Sequence, residues 1–263
     1  MAQIIALVAY SNVWLNSSGG APELLHTNST FQYVDTVKFA QYSGPEQEQG
    51  EEVAMDVAGG LTVLRSMGAR RLWNIAFSWQ RQGYPEYALA GFSNAIPKAI
   101  QVDLPHGCEL WYPRWQTGGS TGKIWRVEYR GLMCNRSYAM PLVPLDQVKV
   151  YLRQALAQAE AFALRPEAGA ASWAGWFTKA LALLESGTPE PPFHPDMLPA
   201  GSYPPAARQI LAAAVQANVF GGMGSWNDIS FADPQMQLEY QSVTAALYEA
   251  VKTSTVIASN SFA

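Results

Sequence analysis

The residues best suited to nucleophilic chemistry are a histidine and a cysteine, His106 and Cys108, which stand two positions apart. An imidazole can activate a thiol as a nucleophile, and residues two apart on a strand share one face of it. Here the turn residues Pro105 and Gly107 surround the histidine, and a catalytic pair also needs a third group that orients the base. We therefore interpret Cys108 as a buried thiol beside a surface imidazole.

A second candidate is the glycine-rich segment 117–124, TGGSTGKI, because a glycine followed by a lysine is typical of phosphate-binding loops. Such a loop requires a glycine five residues before Gly122, a Ser or Thr after Lys123, and then a helix. The chain instead has Thr117, Ile124 and a strand-like segment at these places. The segment therefore predicts a hairpin turn rather than a nucleotide site.

Metal-binding patterns are missing from the sequence, since no His-x-x-x-His, Cys-x-x-Cys or Asp-x-Asp spacing occurs. The two cysteines, Cys108 and Cys134, are too few for a disulfide scaffold. We therefore expect no metal, no cofactor, and two buried thiols in a cytoplasmic protein.

The distribution of charge bears on possible partners. The chain carries a net charge of −4 and has no run of Lys and Arg, whereas phosphate backbones are bound by basic patches. Residues 141–263 contain 10 acidic and 6 basic side chains, and residues 1–140 contain 11 of each. We expect no nucleic acid partner, and a basic protein would be steered toward the second half. The apolar start, MAQIIALVAY, is too short to span a bilayer, so no membrane association is expected.

Candidate partner-binding residues combine aromatic rings, which anchor protein interfaces, with nearby charges. The first candidate patch consists of Trp226, Asp228, Asp233 and Glu239, and the second consists of Trp111, Tyr112 and Arg114. For Asp228, capping of the next segment is the structural alternative, because Asp commonly bonds backbone N–H groups in turns.

The enzymatic alternative is a hydrolase acting on a glycan or a related small substrate. It would use a carboxylate, Asp228 or Glu109, with Trp111 or Trp226 as the platform for a sugar ring. This chemistry requires a cleft in which two carboxylates lie about 5–10 Å apart. The sequence does not show whether such a cleft forms.

Hydrophobic periodicity predicts the secondary structure of the first half. Residues 4–15 and 31–42 are rich in β-branched and aromatic side chains and predict strands, whereas 46–67 has a helical period. Five strand-like segments follow, at 71–79, 86–93, 99–104, 108–116 and 123–132. This rhythm predicts an antiparallel meander.

The second half has a helical period throughout. Helices are predicted over 145–165, 172–187, 205–219 and 235–257, with a proline-rich connector at 188–205. The change of period near Pro141 and Pro144 predicts an α+β protein. An antiparallel sheet with one helix would fill residues 1–140, and a helical half, 141–263, would pack against it as one compact unit.

The segment 218–231, NVFGGMGSWNDISF, joins the last two predicted helices and combines glycines with large apolar side chains. Such a composition predicts a packed, shaped turn rather than an idle loop. We expect Gly221 to cap the preceding helix and the pair Asp233–Pro234 to begin the next.

The end of the chain, with VFGGMGSWNDISF followed by a long helix bearing Ala and Tyr, resembles small uncharacterised bacterial proteins, including immunity partners of secreted toxins. The resemblance covers residues 219–263. It implies a non-enzymatic cytosolic binding protein that binds and occludes a toxin domain, and it assigns no inhibitory residue.

Overall fold

The computed structural model describes residues 1–78, 83–93, 98–221 and 224–262. The elements of the first half are α1 (Ala2–Leu15), α2 (Leu24–Thr27), β1 (Val34–Tyr42), β2 (Glu51–Ala54), α3 (Val57–Ser66), β3 (Arg71–Ala76), α4 (Glu86–Ser93), β4 (Lys98–Leu104), β5 (Gly107–Ser120) and β6 (Lys123–Cys134). Those of the second half are α5 (Leu145–Ala163), α6 (Ala171–Glu185), α7 (Pro205–Gln216) and α8 (Pro234–Asn260), with short 3-10 turns at Ser29–Phe31, Pro166–Ala168 and Trp226–Asp228.

The six strands form one sheet in the order β2-β1-β6-β5-β4-β3. All neighbours are antiparallel except β1 and β6, which run parallel. The helices α5 to α8 pack on one another, and α8 also contacts β3. The predicted α+β architecture, a mostly antiparallel sheet with a helical second half packed against it, is therefore confirmed.

The glycine-rich segment joins β5 to β6 as a hairpin, as predicted from its mismatch with a phosphate loop. Ser120 pairs with Lys123 across the turn, and Gly122 has a φ of +82°, which a residue with a side chain rarely adopts.

The predicted strand over residues 4–15 is wrong, because this segment is the helix α1. Its residues from Ile4 to Ala9 are all at least 97 % buried, and it contacts both β3 and α8. A helix that is apolar on every side has no helical period, and its β-branched residues then suggest a strand.

Two further predictions in the first half are corrected. The helix predicted over 46–67 begins only at Val57, where the Asp56 carboxylate accepts the N–H of Gly59 at 2.6 Å, and Glu51–Ala54 forms the edge strand β2. The segment 86–93 is the helix α4, not a strand. The end of the predicted strand 71–79, at Trp79, lies outside the described residues.

The prediction of two free thiols is also wrong, since Cys108 and Cys134 form a disulfide. The two residues stand directly opposite each other at the end of the β5–β6 ladder, with 5.5 Å between their Cα atoms. The disulfide fastens the ends of these two strands to each other. No helix in the described ranges is long and apolar enough to cross a bilayer.

The outer edge of β3 is closed by two asparagine side chains instead of another strand. Asn12 of α1 accepts the N–H of Leu72 at 2.8 Å and donates to its carbonyl at 2.8 Å. Asn260, the last residue of α8, does the same for Asn74, at 2.7 and 2.9 Å. Each amide thus occupies the place of a neighbouring peptide group, and we call this pair the asparagine clamp.

Replacing Asn260 by Leu is expected to lower the free energy of unfolding by about 2–4 kcal/mol, because the N–H and C=O of Asn74 lose their partners while remaining buried. Urea denaturation of N260L and N12L measures this effect. The exposed Asn135 provides the control, and N135L is expected to change stability by less than about 0.5 kcal/mol. A clamp variant as stable as N135L would contradict the assigned role.

A buried lysine also joins the sheet to α8. Lys98 begins β4, is 7 % exposed, and donates to the hydroxyl oxygen of Thr255 on α8 at 2.9 Å. Burial lowers the pKa of Lys98 from 10.5 to about 7, because desolvation disfavours the charged form. The folded protein therefore binds this proton less tightly than the unfolded chain does.

Stability is consequently expected to rise with pH between about 7 and 10.5, since the unfolded chain binds the extra proton in that range. The variant K98M removes the titrating group, so the free energy difference between K98M and wild type should shrink as pH rises. Below pH 7 the free energy of unfolding of K98M should exceed that of the wild type by up to about 4 kcal/mol. Urea denaturation at several pH values tests this, and a difference that does not change with pH would refute it.

Candidate functional site

An aromatic groove of about 600 Å³ lies between the start of α6 and the segment after α7. Apolar side chains provide most of its wall, with a few polar groups among them. We call this site the aromatic groove, and its lining residues are Ser172, Trp173, Trp176, Asn218, Val219, Phe220, Gly221, Gly224 and Ser225. A volume of this size lies within the range of sites that bind small molecules or side chains, about 300–1,000 Å³.

A buried tryptophan supports the groove from behind. Trp226 is completely buried, and its ring packs edge-on against Trp173, with 6.1 Å between the ring centroids, and against Phe177, with 5.1 Å. Its Nε1 donates to the Thr244 hydroxyl at 3.0 Å, and the Tyr240 hydroxyl donates to its carbonyl. These contacts fix the segment 218–231 on α8.

The groove-lining turn is held by its own hydrogen bonds. Gly221 N–H donates to the Asn227 side-chain oxygen at 3.2 Å, and the Ser225 hydroxyl bonds the Gly221 carbonyl at 3.0 Å. Gly224, with a φ of +85°, donates its N–H to the Asp228 carboxylate at 2.6 Å. The described residues of the predicted turn are packed as expected, although α7 ends at Gln216 with Ala217 as its cap rather than at Gly221.

The tryptophan that α6 contributes to the groove wall lacks a hydrogen bond from its ring. Trp176 is half-buried, and its Nε1 is buried without a hydrogen-bond acceptor in the described part of the chain. An indole N–H is a donor only, and a buried donor usually finds a partner. Packing alone therefore sets the orientation of Trp176, whereas Trp226 is fixed by a hydrogen bond.

The first predicted patch lacks an exposed aromatic ring. Trp226 is in the core, Asp228 accepts the N–H of Gly224, and Asp233 caps α8 by accepting the N–H of Gln235 at 2.8 Å. Glu239 forms a two-pronged ion pair with Arg165, in which one N–O distance is 2.7 Å. Asp233 therefore begins α8 as expected, whereas Asp228 bonds the preceding turn and does not cap the next segment. Asp228 and Asp233 are exposed, and the Glu239 side chain is 42 % exposed.

The second predicted patch is divided between the core and the surface. Trp111 is 1 % exposed and donates from Nε1 to Glu109 at 3.0 Å. Tyr112 stacks on Phe77, with 5.6 Å between the centroids, and Arg114 is exposed. Both tryptophans nominated as anchors are thus buried, because large rings placed on the core-facing side of an element pack inward.

Of the two carboxylates of the hydrolase alternative, Asp228 bonds the N–H of the groove-lining Gly224, and Glu109 lies apart from the groove. Glu109 is buried in the sheet core, where burial raises its pKa against the hydrogen bonds from Trp111 and Gln41. None of the groove's lining residues given above carries a carboxylate. The groove therefore lacks the paired acids that glycoside hydrolysis requires.

A serine, a histidine and an aspartate meet at a place that sequence reasoning missed. The Ser29 hydroxyl lies 3.1 Å from His194 Nδ1 and also donates to Asp196, whose other oxygen accepts the Ser29 N–H at 2.8 Å. The hydroxyl proton of Ser29 is directed at Asp196 and not at the imidazole, which is not the arrangement of a serine activated by a histidine base. The cluster fastens the connector 188–205 to the first half rather than activating a nucleophile.

Within the described structure, no three His, Cys, Asp or Glu side chains lie close enough together to hold a metal ion.

Comparison with known proteins found no matching family model, no matching curated protein and no matching solved structure. Inference about function therefore depends on the geometry of the chain itself.

Replacing Trp226 by Ala is expected to lower the free energy of unfolding by about 3–5 kcal/mol, because it leaves a cavity in the aromatic cluster. The variant W115A is the control, since Trp115 is 42 % exposed. Denaturant unfolding of both variants measures the difference. Equal losses of stability would show that Trp226 does not support the groove as described.

Proposed function

We propose that the protein is a non-enzymatic binding protein, and that the aromatic groove receives an apolar segment of a protein partner. The observation that carries this proposal is a preformed groove walled by Trp173, Trp176 and Phe220. Aromatic rings contribute the largest share of binding energy at protein interfaces. They also lose little conformational entropy on binding when, as here, they are already packed.

The groove favours a ligand with an apolar body and a hydrogen-bonding end. Ser172 and Asn218 place polar groups among the rings. The first turn of α6 also lies beside the groove, and its N-cap residue, Ala170, has no side chain that could accept the free N–H groups. A backbone carbonyl or carboxylate of the partner would suit that position. An extended peptide segment with one or two large apolar side chains has this chemistry.

An immunity-type inhibitor of a bacterial toxin domain is the particular form of this proposal that the resemblance of residues 219–263 suggests. The segment that carries the resemblance also contributes Phe220, Gly224 and Ser225 to the groove. A toxin domain would then be held by an apolar anchor in the groove. A cytoplasmic location is also part of the proposal. The expected free thiols no longer support it, because Cys108 and Cys134 form a disulfide and disulfides are rare in reducing compartments.

The proposal predicts that peptides selected on the wild-type protein from a random displayed library carry large apolar residues and depend on Trp176. Truncating an interface tryptophan at the centre of a contact costs about 2 kcal/mol or more. The variant W176A is therefore expected to bind the selected peptides at least about 30-fold more weakly. Isothermal titration calorimetry with synthetic peptides measures the loss.

The matched control is W115A, which removes an exposed tryptophan outside the groove and should bind like the wild type. Wild-type protein and W176A can also serve as baits in an extract of the source organism, with bound proteins identified by mass spectrometry. A toxin-like protein retained by the wild type and lost with W176A would support the inhibitor form. Selected peptides that bind W176A and wild type equally would overturn the groove as the docking site.

A further inference from the structure

Basic side chains from three adjacent strands converge on the solvent-facing side of the sheet. Glu128 of β6 is opposite Lys38 of β1 on one side and opposite Arg114 of β5 on the other. Arg126 and Arg130 lie two residues before and after Glu128, so they share its face. We call this surface the cationic face, and its members are Lys38, Arg114, Arg126 and Arg130.

A central carboxylate organises the cationic face without neutralising it. Glu128 is 7 % exposed and accepts from the Tyr42 hydroxyl at 2.8 Å, while Lys38 and Arg130 approach its oxygens at 3.3 and 3.1 Å. Burial alone would raise its pKa, but the hydrogen bonds from Tyr42 and Arg130 and the charge of Lys38 lower it. Glu128 is therefore ionised at neutral pH, and it holds two cations in place.

Much of the hydrogen-bonding capacity of the cationic face remains available. Arg114 is exposed and forms no ion pair within the described residues. Arg126 is 3.9 Å from Asp35 and its side chain is 56 % exposed, which is a long and solvated contact. Arg130 uses Nε on Glu128 and lies over the Tyr42 ring at 4.8 Å. Four cations thus stand against Glu128, Asp35 and, at the β2 edge of the same face, Glu52, which is opposite Ala40. One positive charge remains in excess on this face of a chain whose net charge is −4.

We propose that the cationic face binds an acidic segment of a partner polypeptide. Arginine forks pair with carboxylates through two parallel hydrogen bonds, so the exposed guanidinium groups suit Asp and Glu side chains. Strands lie about 4.8 Å apart and rise about 3.3 Å per residue, which makes the face about 10 by 14 Å. This area fits a short segment with two or three carboxylates.

A nucleic acid strand is a poorer fit to the same face. Its bases need aromatic rings on which to stack. On this face Thr36, Ala40 and Gln116 carry no ring. Tyr42 is buried with Arg130 over its ring, and Tyr112 stacks on Phe77. The negative charge elsewhere on the chain also repels a long polyanion. A short acidic segment interacts only with the nearby charges of the cationic face.

The test measures binding of a fluorescein-labelled decaglutamate peptide by fluorescence anisotropy at about 20 mM salt, where screening is weak. The variants R114E and R126E are expected to weaken binding about tenfold or more each. Binding should also weaken as salt is raised to about 150 mM. The matched control is K179E, which makes the same change of net charge at the exposed Lys179 of α6 and should alter binding less than about twofold.

Three results would overturn the proposal: no saturable decaglutamate binding, equal losses with R114E and K179E, or tighter binding of labelled decauridylate than of decaglutamate. Circular dichroism melting curves verify that the variants are folded. The variant W176A keeps the cationic face intact and should bind decaglutamate like the wild type. Failure of the groove proposal is therefore separable from failure of this one.

Discussion

The asparagine clamp is the interaction on which the arrangement of the two halves depends. It fixes the last residue of α8 to the edge strand β3 through both backbone hydrogen-bonding groups of one residue, Asn74. The same helix is 27 residues long, and in its first half Tyr240 and Thr244 hold Trp226, which supports the groove from behind. A helix is stiff over this length, so the position of its end on the sheet also sets the position of the groove wall. The clamp hence couples a sheet edge, which would otherwise be open to aggregation, to the site that we propose for binding.

The fold could be predicted from the sequence where one face of an element meets water. The helices α5 to α8 and the strands β5 and β6 have polar faces, and their periods of 3.6 and 2 are visible in the residue pattern. The predictions for α1 and α4 failed because burial or short length hides the period. Only contact with the sheet and with α8 distinguishes α1 from a buried strand, and such contacts cannot be read from local sequence. The disulfide was missed for a related reason, since the pairing register that brings Cys108 opposite Cys134 is a property of the sheet.

The candidate site was predictable in part. Glycines among large apolar residues indicated a shaped turn at 218–231, and this turn does line the groove. Which aromatic ring faces the groove was not predictable, because Trp226 points into the core while Trp173 and Trp176, from a helix with an ordinary apolar stripe, form the wall. The acidic residues of the same region were predicted to bind a partner. Asp233 instead caps α8, and Glu239 forms an ion pair with Arg165. The local sequence does not distinguish a carboxylate that caps a helix or forms an internal ion pair from one that binds a partner.

Charge counted along the chain is therefore a poor guide to charge presented on a surface. The excess of carboxylates in residues 141–263 suggested an acidic half, but several of them are used in helix caps and ion pairs within that half. The first half, with equal numbers of acidic and basic residues, presents a local concentration of cations, because strand pairing brings Lys38, Arg114 and Arg126 to one face. These residues lie up to 88 positions apart in the sequence, so no window along the chain detects them. The register of the strands thus determines which charges share a face and whether a partner there is attracted or repelled. Here it gives a positive face to residues 1–140, whose acidic and basic residues are equal in number.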